Sequence, residues 1–426
     1  MAYTLNLRPQ LKHQGHGLAA AAGLAVALLG AGCTDYYQVP PGTYHGHVEA
    51  PSEPAGGTAA PTADTTITPQ LEPVATPFKP IQGRANTPSP EAVLALMRQT
   101  ADWQLANPDS QPKGWVAAAF YDGVMALAKI GPDQKYLNAM QAQGKLNNWE
   151  PAARIYHADD HAVTQMYLEL FEIKNDPVMV QATRARFDLI YDNPQSDNLD
   201  FGRPDHDNRW SWCDALFMDP PAWARLSKVT GEPKYLDSAN RRWWVTSDFL
   251  YDKDEHLYYR DSTFFNQHEP NGKNVFWSRG NGWVIAGLAR MLDYLPKDYP
   301  PRAKYVKQFG EMAERIKSLQ QADGLWRTGL LDPASHPQAE ASGSGFFAYA
   351  LAWGINQGLL DKAAYAPVVF KAWDALTQCV QPDGKIIHVQ PVGAKPEGFP
   401  EGSTSPYGVG AFLLAGSEIY KLVGGK

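Results

Sequence analysis

"WSRGNGWVIAGLARMLDYL", residues 277 to 295, sets an arginine and an asparagine among glycines and tryptophans. Directly after them, Val284, Ile285, Leu288 and Leu292 recur at the spacing of one helix face. A helix that begins this way carries polar and aromatic groups at its N-terminus and an apolar body behind them. The arrangement recurs along the chain. "FYDGVMALA" from 120, "HADDHAVTQMYLEL" from 157, "WCDALFM" from 212, "RGNGWVIAGLA" from 279, "SGSGFFAYALA" from 342 and "SPYGVGAFLLAG" from 405 each put polar, aromatic or glycine residues before an apolar helix. Val163, Met166, Tyr167 and Leu170 repeat the spacing in the second of these, and Val409, Phe412, Leu413 and Tyr420 in the last.

Between the openings come short breaks and more polar helical stretches: "KIGPDQKYLNAM", "KNDPVMVQATRARF", "TGEPKYLDSANRRW", "PPRAKYVKQF" and "LLDKAAYAPVVF". Helix, break, helix at intervals of roughly 40 to 70 residues is a repeat architecture. "HLYYRDSTFF", from residue 256, reads as a short extended excursion within a loop. Six inner and about six outer helices predict an all-α barrel whose inner helices run parallel. Parallel inner helices gather their N-termini at one mouth. Free N–H groups and partial positive charge there suit an anionic ligand, and glycines let backbone and ligand approach closely.

The chain has 426 residues, 44% of them hydrophobic, enough to bury a large core. With 38 basic against 45 acidic residues its net charge is -7, and no long basic stretch occurs, which argues against a nucleic-acid partner. Arg8 and Lys12 precede an apolar run from Leu18 to Leu29 that ends in "LLGAGC" at Cys33. Residues 1–33 therefore resemble a bacterial lipoprotein signal, with Cys33 as the lipidated residue. Gly30 stands where such signals usually carry leucine, which keeps plain cleavage and release as the alternative. The expected location is the periplasm or cell envelope, with the membrane touched only through the anchor. Residues 34–89, rich in Pro, Gly, Thr and Ala, read as a disordered tether, and residues 90–426 as the folded body. Cys213 and Cys379 either pair or remain two free buried thiols.

At the openings, Asp159 and Asp160 are candidate acids, although a carboxylate there is often only a helix cap. Asp214 lies between "RWSWC" and "ALFM", where burial raises a carboxyl pKa toward that of a general acid; pairing with Arg209 or another cation is the structural alternative. Arg279 between Trp277 and Trp283 matches the cation and aromatic lining of an acidic-sugar site. His157 and His161 stand four apart, but no HExxH pattern accompanies them, so neither a metal nor a cofactor is expected.

The stretches "YHADDHAVTQMYLEL", "RWSWCDALFMDPPAWARLSKVTGEPKYLD", "FWSRGNGWVIAGLARMLDYLPKD", "DGLWRTGLLDP", "SGSGFFAYALAWGINQGLLD" and "YGVGAFLLAGSE" resemble, in order, the unsaturated rhamnogalacturonyl hydrolases of glycoside hydrolase family 105. These are relatives of the unsaturated glucuronyl hydrolases of family 88. The likeness covers residues 90 to 424 and implies an (α/α)6 barrel. It also implies a reaction. An aspartic acid protonates C4 of a 4,5-unsaturated uronic acid at the non-reducing end of a lyase product, water adds at C5, and the hemiketal opens to release the sugar. By this resemblance Asp214 is the acid/base, and Asp159, with Asp160 as its rival, is the second aspartate. Arg279 and Trp283 hold the uronate. Trp277, Asn281, His157, Trp212 and Tyr407 at the same openings, with Arg260 from the "LYYRDSTFF" loop, complete the expected sugar site.

Two departures stand out. Better-known members have a histidine where "LYYRDSTFF" offers Arg260 and Asp261, and nearer ones have an acidic "TE" where "STSP" ends at Pro406. Both fall in substrate-binding loops, so the sugar behind the unsaturated residue is the variable. A conventional inverting glycosidase and a non-catalytic glycan-binding lipoprotein are the competing readings.

Overall fold

The two grades of helix differ in what they bury. In the computed structural model, which describes residues 86–425, outer and inner helices alternate. The order is α1 (Pro90–Ala106) outside, α2 (Trp115–Ile130) inside, α3 (Gln134–Leu146) outside, and α4 (Ala158–His161) continued by α5 (Thr164–Lys174) inside. There follow α6 (Val178–Asp192) outside, α7 (Ala215–Met218) continued by α8 (Pro220–Thr230) inside, and α9 (Pro233–Leu250) outside. A two-stranded hairpin, β1 (Tyr251–Asp252) with β2 (Leu257–Tyr258), leads to α10 (Ser278–Tyr294) inside, α11 (Arg302–Ser318) outside, α12 (Ala341–Asn356) inside, α13 (Lys362–Gln378) outside and α14 (Pro406–Leu422) inside. Each inner unit packs on the next, and α14 closes the ring on α2. This is the expected (α/α)6 barrel.

The difference in burial follows the sequence. Helix α12 buries every residue from Ala341 to Ile355, as a helix wedged between two inner neighbours and an outer one must. Helix α11 buries only the stripe Tyr305, Gln308, Phe309, Met312, Ala313 and Ile316. Close packing of the inner ring needs small residues: a Cβ at Gly410 would run into the backbone carbonyl of Ala119, and one at Gly287 into that of Leu216.

Two features differ from the sequence reading. "FYDG" at 120 does not open its helix; α2 begins at Trp115, because that ring stacks on Tyr407 with centroids 5.3 Å apart and extends the helix toward the mouth. Tyr121 and Asp122 are thereby buried inside the barrel. The sixth outer helix is α1, capped by Ser89, which the list of polar stretches lacked. The inner unit α7–α8 breaks at Asp219–Pro220, where proline cannot donate to the helix ladder. The Asp219 carboxylate there accepts the indole N–H groups of Trp210 and Trp223, each at 2.8 Å.

Cys213 and Cys379 are both free and buried. The expected signal at 1–33, the lipidation site Cys33, and the tether up to residue 85 lie outside the described residues.

Candidate active site

The inner N-termini meet at one end of the barrel. His157 is the N-cap of α4, its Nδ1 accepting the amide N–H of Asp159 at 3.2 Å. That acceptance leaves Nε2 to carry the proton, and it faces Asp207 Oδ1 at 3.7 Å. The imidazole also lies against Trp212, with ring centroids 5.0 Å apart. Asp159 and Asp214 therefore sit at the starts of successive inner units, α4 and α7.

Burial raises both carboxyls. Asp159 is pushed up to about 6 by desolvation, against the pull of His157 and Arg154 and with repulsion from Asp214 and Asp160. Asp214 is raised by desolvation, with Arg260 and Arg279 opposing. The repulsion expected between the carboxylates thus registers on Asp159, while the nearest opposing influence on Asp214 is an arginine. That arginine is not Arg209, which is spent on Asp205 at 2.8 Å and on Ser196. It is Arg260, whose Nε stands 3.7 Å from Asp214 Oδ2. Backbone pairing brings it there: the Cys213 N–H donates to the Arg260 carbonyl at 2.8 Å, and Trp212 bridges Asp261.

Asp160 and Asp159 separate sharply. The Asp160 carboxylate receives the backbone N–H, Nε and Nη2 of Arg154 at 2.7, 3.0 and 2.6 Å, which makes it a brace for the 152–157 turn. His161 turns away from His157, with Nε2 2.9 Å from the Ile155 carbonyl and Nδ1 3.0 Å from Asp219.

Arg279 lies under the mouth, only 1% exposed, between the rings of Trp277 and Tyr407 at 4.4 and 4.9 Å. Its Nη1 and Nη2 donate to the backbone carbonyls of Gln390 and Pro391 at 2.6 and 2.8 Å, and its buried Nε has no acceptor. Among the described residues, no carboxylate lies within 4 Å of this guanidinium.

Other expected sugar contacts are occupied by the fold. Asn281 accepts the Tyr258 N–H at 2.7 Å and donates to the carbonyls of Tyr258 and Trp277, both at 3.0 Å, so it clamps β2 to α10 and has no hydrogen left for a sugar. Trp283 is fully buried between Phe217 and Phe346. Trp277 and Tyr407 both donate to Gln390, through Nε1 to Oε1 at 2.8 Å and through the hydroxyl to the carbonyl at 2.6 Å.

Gln390 escaped the sequence reading. It joins Trp277, Arg279, Tyr407 and Glu340 from a loop more than a hundred residues beyond Arg279, and no local pattern marks it. Asp207 also went unmarked, though "PDHDNRW" holds it two residues before Arg209. A separate cavity of about 540 Å³ lies behind the 193–210 loop, lined by Tyr156, Trp210 and Arg242 among others; Asp159, Asp214 and Arg279 do not line it.

Comparison with known proteins places the fold in a family. The chain is 42% identical over 342 residues to an unsaturated 3S-rhamnoglycuronyl hydrolase of Formosa agariphila, covering 78% of this chain and 91% of that protein. It is 36% identical to another from an Alteromonas species, covering 75% and 83%. A solved structure described as a polysaccharide lyase superposes with a TM-score of 0.72 at 32% identity, covering 78% of this chain and 98% of its own. The model described as Glycosyl Hydrolase Family 88 matches residues 87–423, so the chain belongs to glycosyl hydrolase family 88, related to the family its motifs resemble.

Proposed function

We propose that this protein removes the 4,5-unsaturated uronic acid from the non-reducing end of lyase-generated oligosaccharides by hydrating its double bond, and that the next sugar is 3-sulfated rhamnose. One observation carries the reading: a buried carboxyl raised toward protonation, Asp214, lies in the field of a buried arginine, Arg279, that has no carboxylate partner. A buried cation without a counter-ion is costly, and a bound uronate supplies the missing charge. The relatives' names support the sulfated rhamnose.

The chemistry follows from these positions. Asp214 donates its proton to C4, and positive charge develops at C5 and the ring oxygen. Water adds at C5 and returns a proton to the Asp214 carboxylate, restoring the acid. The product is a hemiketal at C5, which opens and frees the neighbouring sugar without attack at the anomeric carbon. Asp159, ionised above about pH 6, accepts hydrogen bonds from the water or a sugar hydroxyl. His157 fixes its backbone, and Trp212 offers a ring to the sugar.

Disappearance of the double bond's ultraviolet absorbance, on an unsaturated uronyl–rhamnose 3-sulfate disaccharide, tests the reaction. A lyase would instead create that absorbance on saturated polymer, and an inverting glycosidase would release saturated uronic acid. Either result with an inert unsaturated disaccharide overturns the reading. The signal-like residues 1–33 support export to the periplasm or cell envelope with a lipid on Cys33; fatty-acid labelling lost in Cys33→Ser tests the anchor, and unlabelled wild type overturns it.

A further inference from the structure

Arg260 keeps a guanidinium edge to spare beside Asp214. Arg154 grips Asp160 and Arg209 grips Asp205 and Ser196, while Arg279, lacking a carboxylate among the described residues, is the group that the proposed function gives to the uronate. The Arg260 side chain is 18% exposed, and among the described residues its Nη2 donates to no protein acceptor. Its position is nonetheless fixed. The backbone is paired to Cys213, the guanidinium packs over the Phe201 ring at 4.8 Å, and Nη1 donates to Asp261 Oδ2 at 2.7 Å. Asp261 is itself held, accepting from the Thr263 N–H and hydroxyl at 2.9 and 2.6 Å. The result is a guanidinium oriented before any ligand arrives, beside the proposed acid.

The free edge suits an oxyanion. A guanidinium presents parallel N–H donors to sulfate or carboxylate, and orientation in advance reduces the entropy lost on binding. Under the proposed function the uronate belongs to Arg279, so the anion left for Arg260 sits one sugar further along. Resting on that reading, we infer that Arg260 is a specificity residue that reads the sulfate ester on the sugar behind the unsaturated uronyl residue. Asp261 acts through it as a positioning residue.

The experiment compares kcat/KM for one unsaturated disaccharide with and without its rhamnose 3-sulfate, in wild type and Arg260→Gln at a single pH. A ratio within one enzyme cancels any effect of Arg260 on Asp214. The wild-type preference for the sulfated form should fall by about 10- to 100-fold in Arg260→Gln, mostly through KM, with Arg260→Lys between the two. If Arg260→Gln is inactive, calorimetric titration of both disaccharides into Asp214→Asn and Asp214→Asn/Arg260→Gln gives the same comparison from binding alone. A sulfate preference that survives the loss of Arg260, or a wild type that prefers the desulfated form, overturns the inference. Wild type inert on both disaccharides overturns the proposed function instead.

Discussion

Arg154 grips the carboxylate of Asp160 with three donors, at 2.6 to 3.0 Å, while Asp159 next to it is left without a guanidinium of its own. Two adjacent aspartates thus divide into a brace and, under the proposed function, a group free to contact water or substrate. Asp160→Asn should cost about 1–3 kcal/mol of stability, since it leaves Arg154 short of a charged acceptor. Asp159→Asn should lower kcat far more than Asp160→Asn at a temperature where both are folded. Melting curves alongside steady-state rates check the division, and a larger kcat loss in Asp160→Asn would reverse the assignment.

Asp214→Asn should reduce kcat by on the order of 10²-fold or more, the scale of a positioned acid/base, while substrate still binds through Arg279. The pH dependence has a definite sign. The proton donor must be protonated when substrate arrives, so activity falls as pH rises through the Asp214 pKa, which burial has raised. Arg260 favours the ionised form, so Arg260→Gln should move that alkaline limb to higher pH. A limb that stays put, or moves to lower pH, would show that Asp214 is not the titrating acid.

The Asp159 carboxyl should be a measurable burden on the fold. Its pKa rises from the ordinary 3.8 to about 6, so the folded state binds the proton more tightly than the unfolded chain does. That stabilisation is complete below about pH 4 and is lost as pH rises through 6. Above pH 6, Asp159→Asn should therefore be more stable than wild type by on the order of 1–3 kcal/mol, a shift of a few degrees in melting temperature that vanishes near pH 4. A variant that melts lower at pH 7 would show that contacts to His157 outweigh desolvation.

What could be read without coordinates depended on range. The helix openings were legible because small, aromatic and polar residues precede each apolar run, and most of that signal is local. Asp214 was legible for the same reason, lying within "WCDALFM". Asn281 and Trp283 read as sugar contacts because a polar or aromatic residue at a mouth looks alike whether it faces solvent or a neighbouring element; their contacts with Tyr258 and Phe346 lie 23 and 63 positions away. Gln390 had no local signal at all. Its hydrogen bonds to Trp277 and Arg279 span 113 and 111 positions, beyond the reach of any local pattern.

The start of the folded unit also has a sharp test. Ser89 caps α1 through the Ala92 N–H at 3.2 Å, and the Asn86 N–H reaches Asp374 at 3.2 Å. A protein comprising residues 86–426 keeps every described contact, so its melting temperature and kcat/KM should match those of the full chain. A lower melting temperature would mean that part of residues 1–85 packs on the barrel.

The last prediction concerns charge buried between the inner helices. Glu169 on α5 lies 2.5 Å from Arg225 on α8, 3.1 Å from Arg290 on α10 and 2.6 Å from Lys129 on α2, and Arg290 also reaches Asp122 on α2 at 3.0 Å. Burial alone would raise Glu169, but Arg225, Lys129 and Arg290 together hold it well below the usual carboxylate range. Asp122, with Arg290 as its near cation, is raised by burial instead. One carboxylate therefore neutralises arginines from two neighbouring helices, and removing it leaves Arg225 without its near carboxylate in a dry interior and Arg290 with Asp122 alone. Glu169→Gln should destabilise the fold by about 3–5 kcal/mol, the cost of breaking a buried pair from one side. Replacing Asp122, Glu169, Arg225 and Arg290 together by apolar residues of similar volume should cost much less, because no buried charge is then left alone. Guanidinium unfolding midpoints measure both. If the fourfold replacement proves as damaging as Glu169→Gln, the cluster holds the α2, α5, α8 and α10 contact in register and does more than balance its own charge.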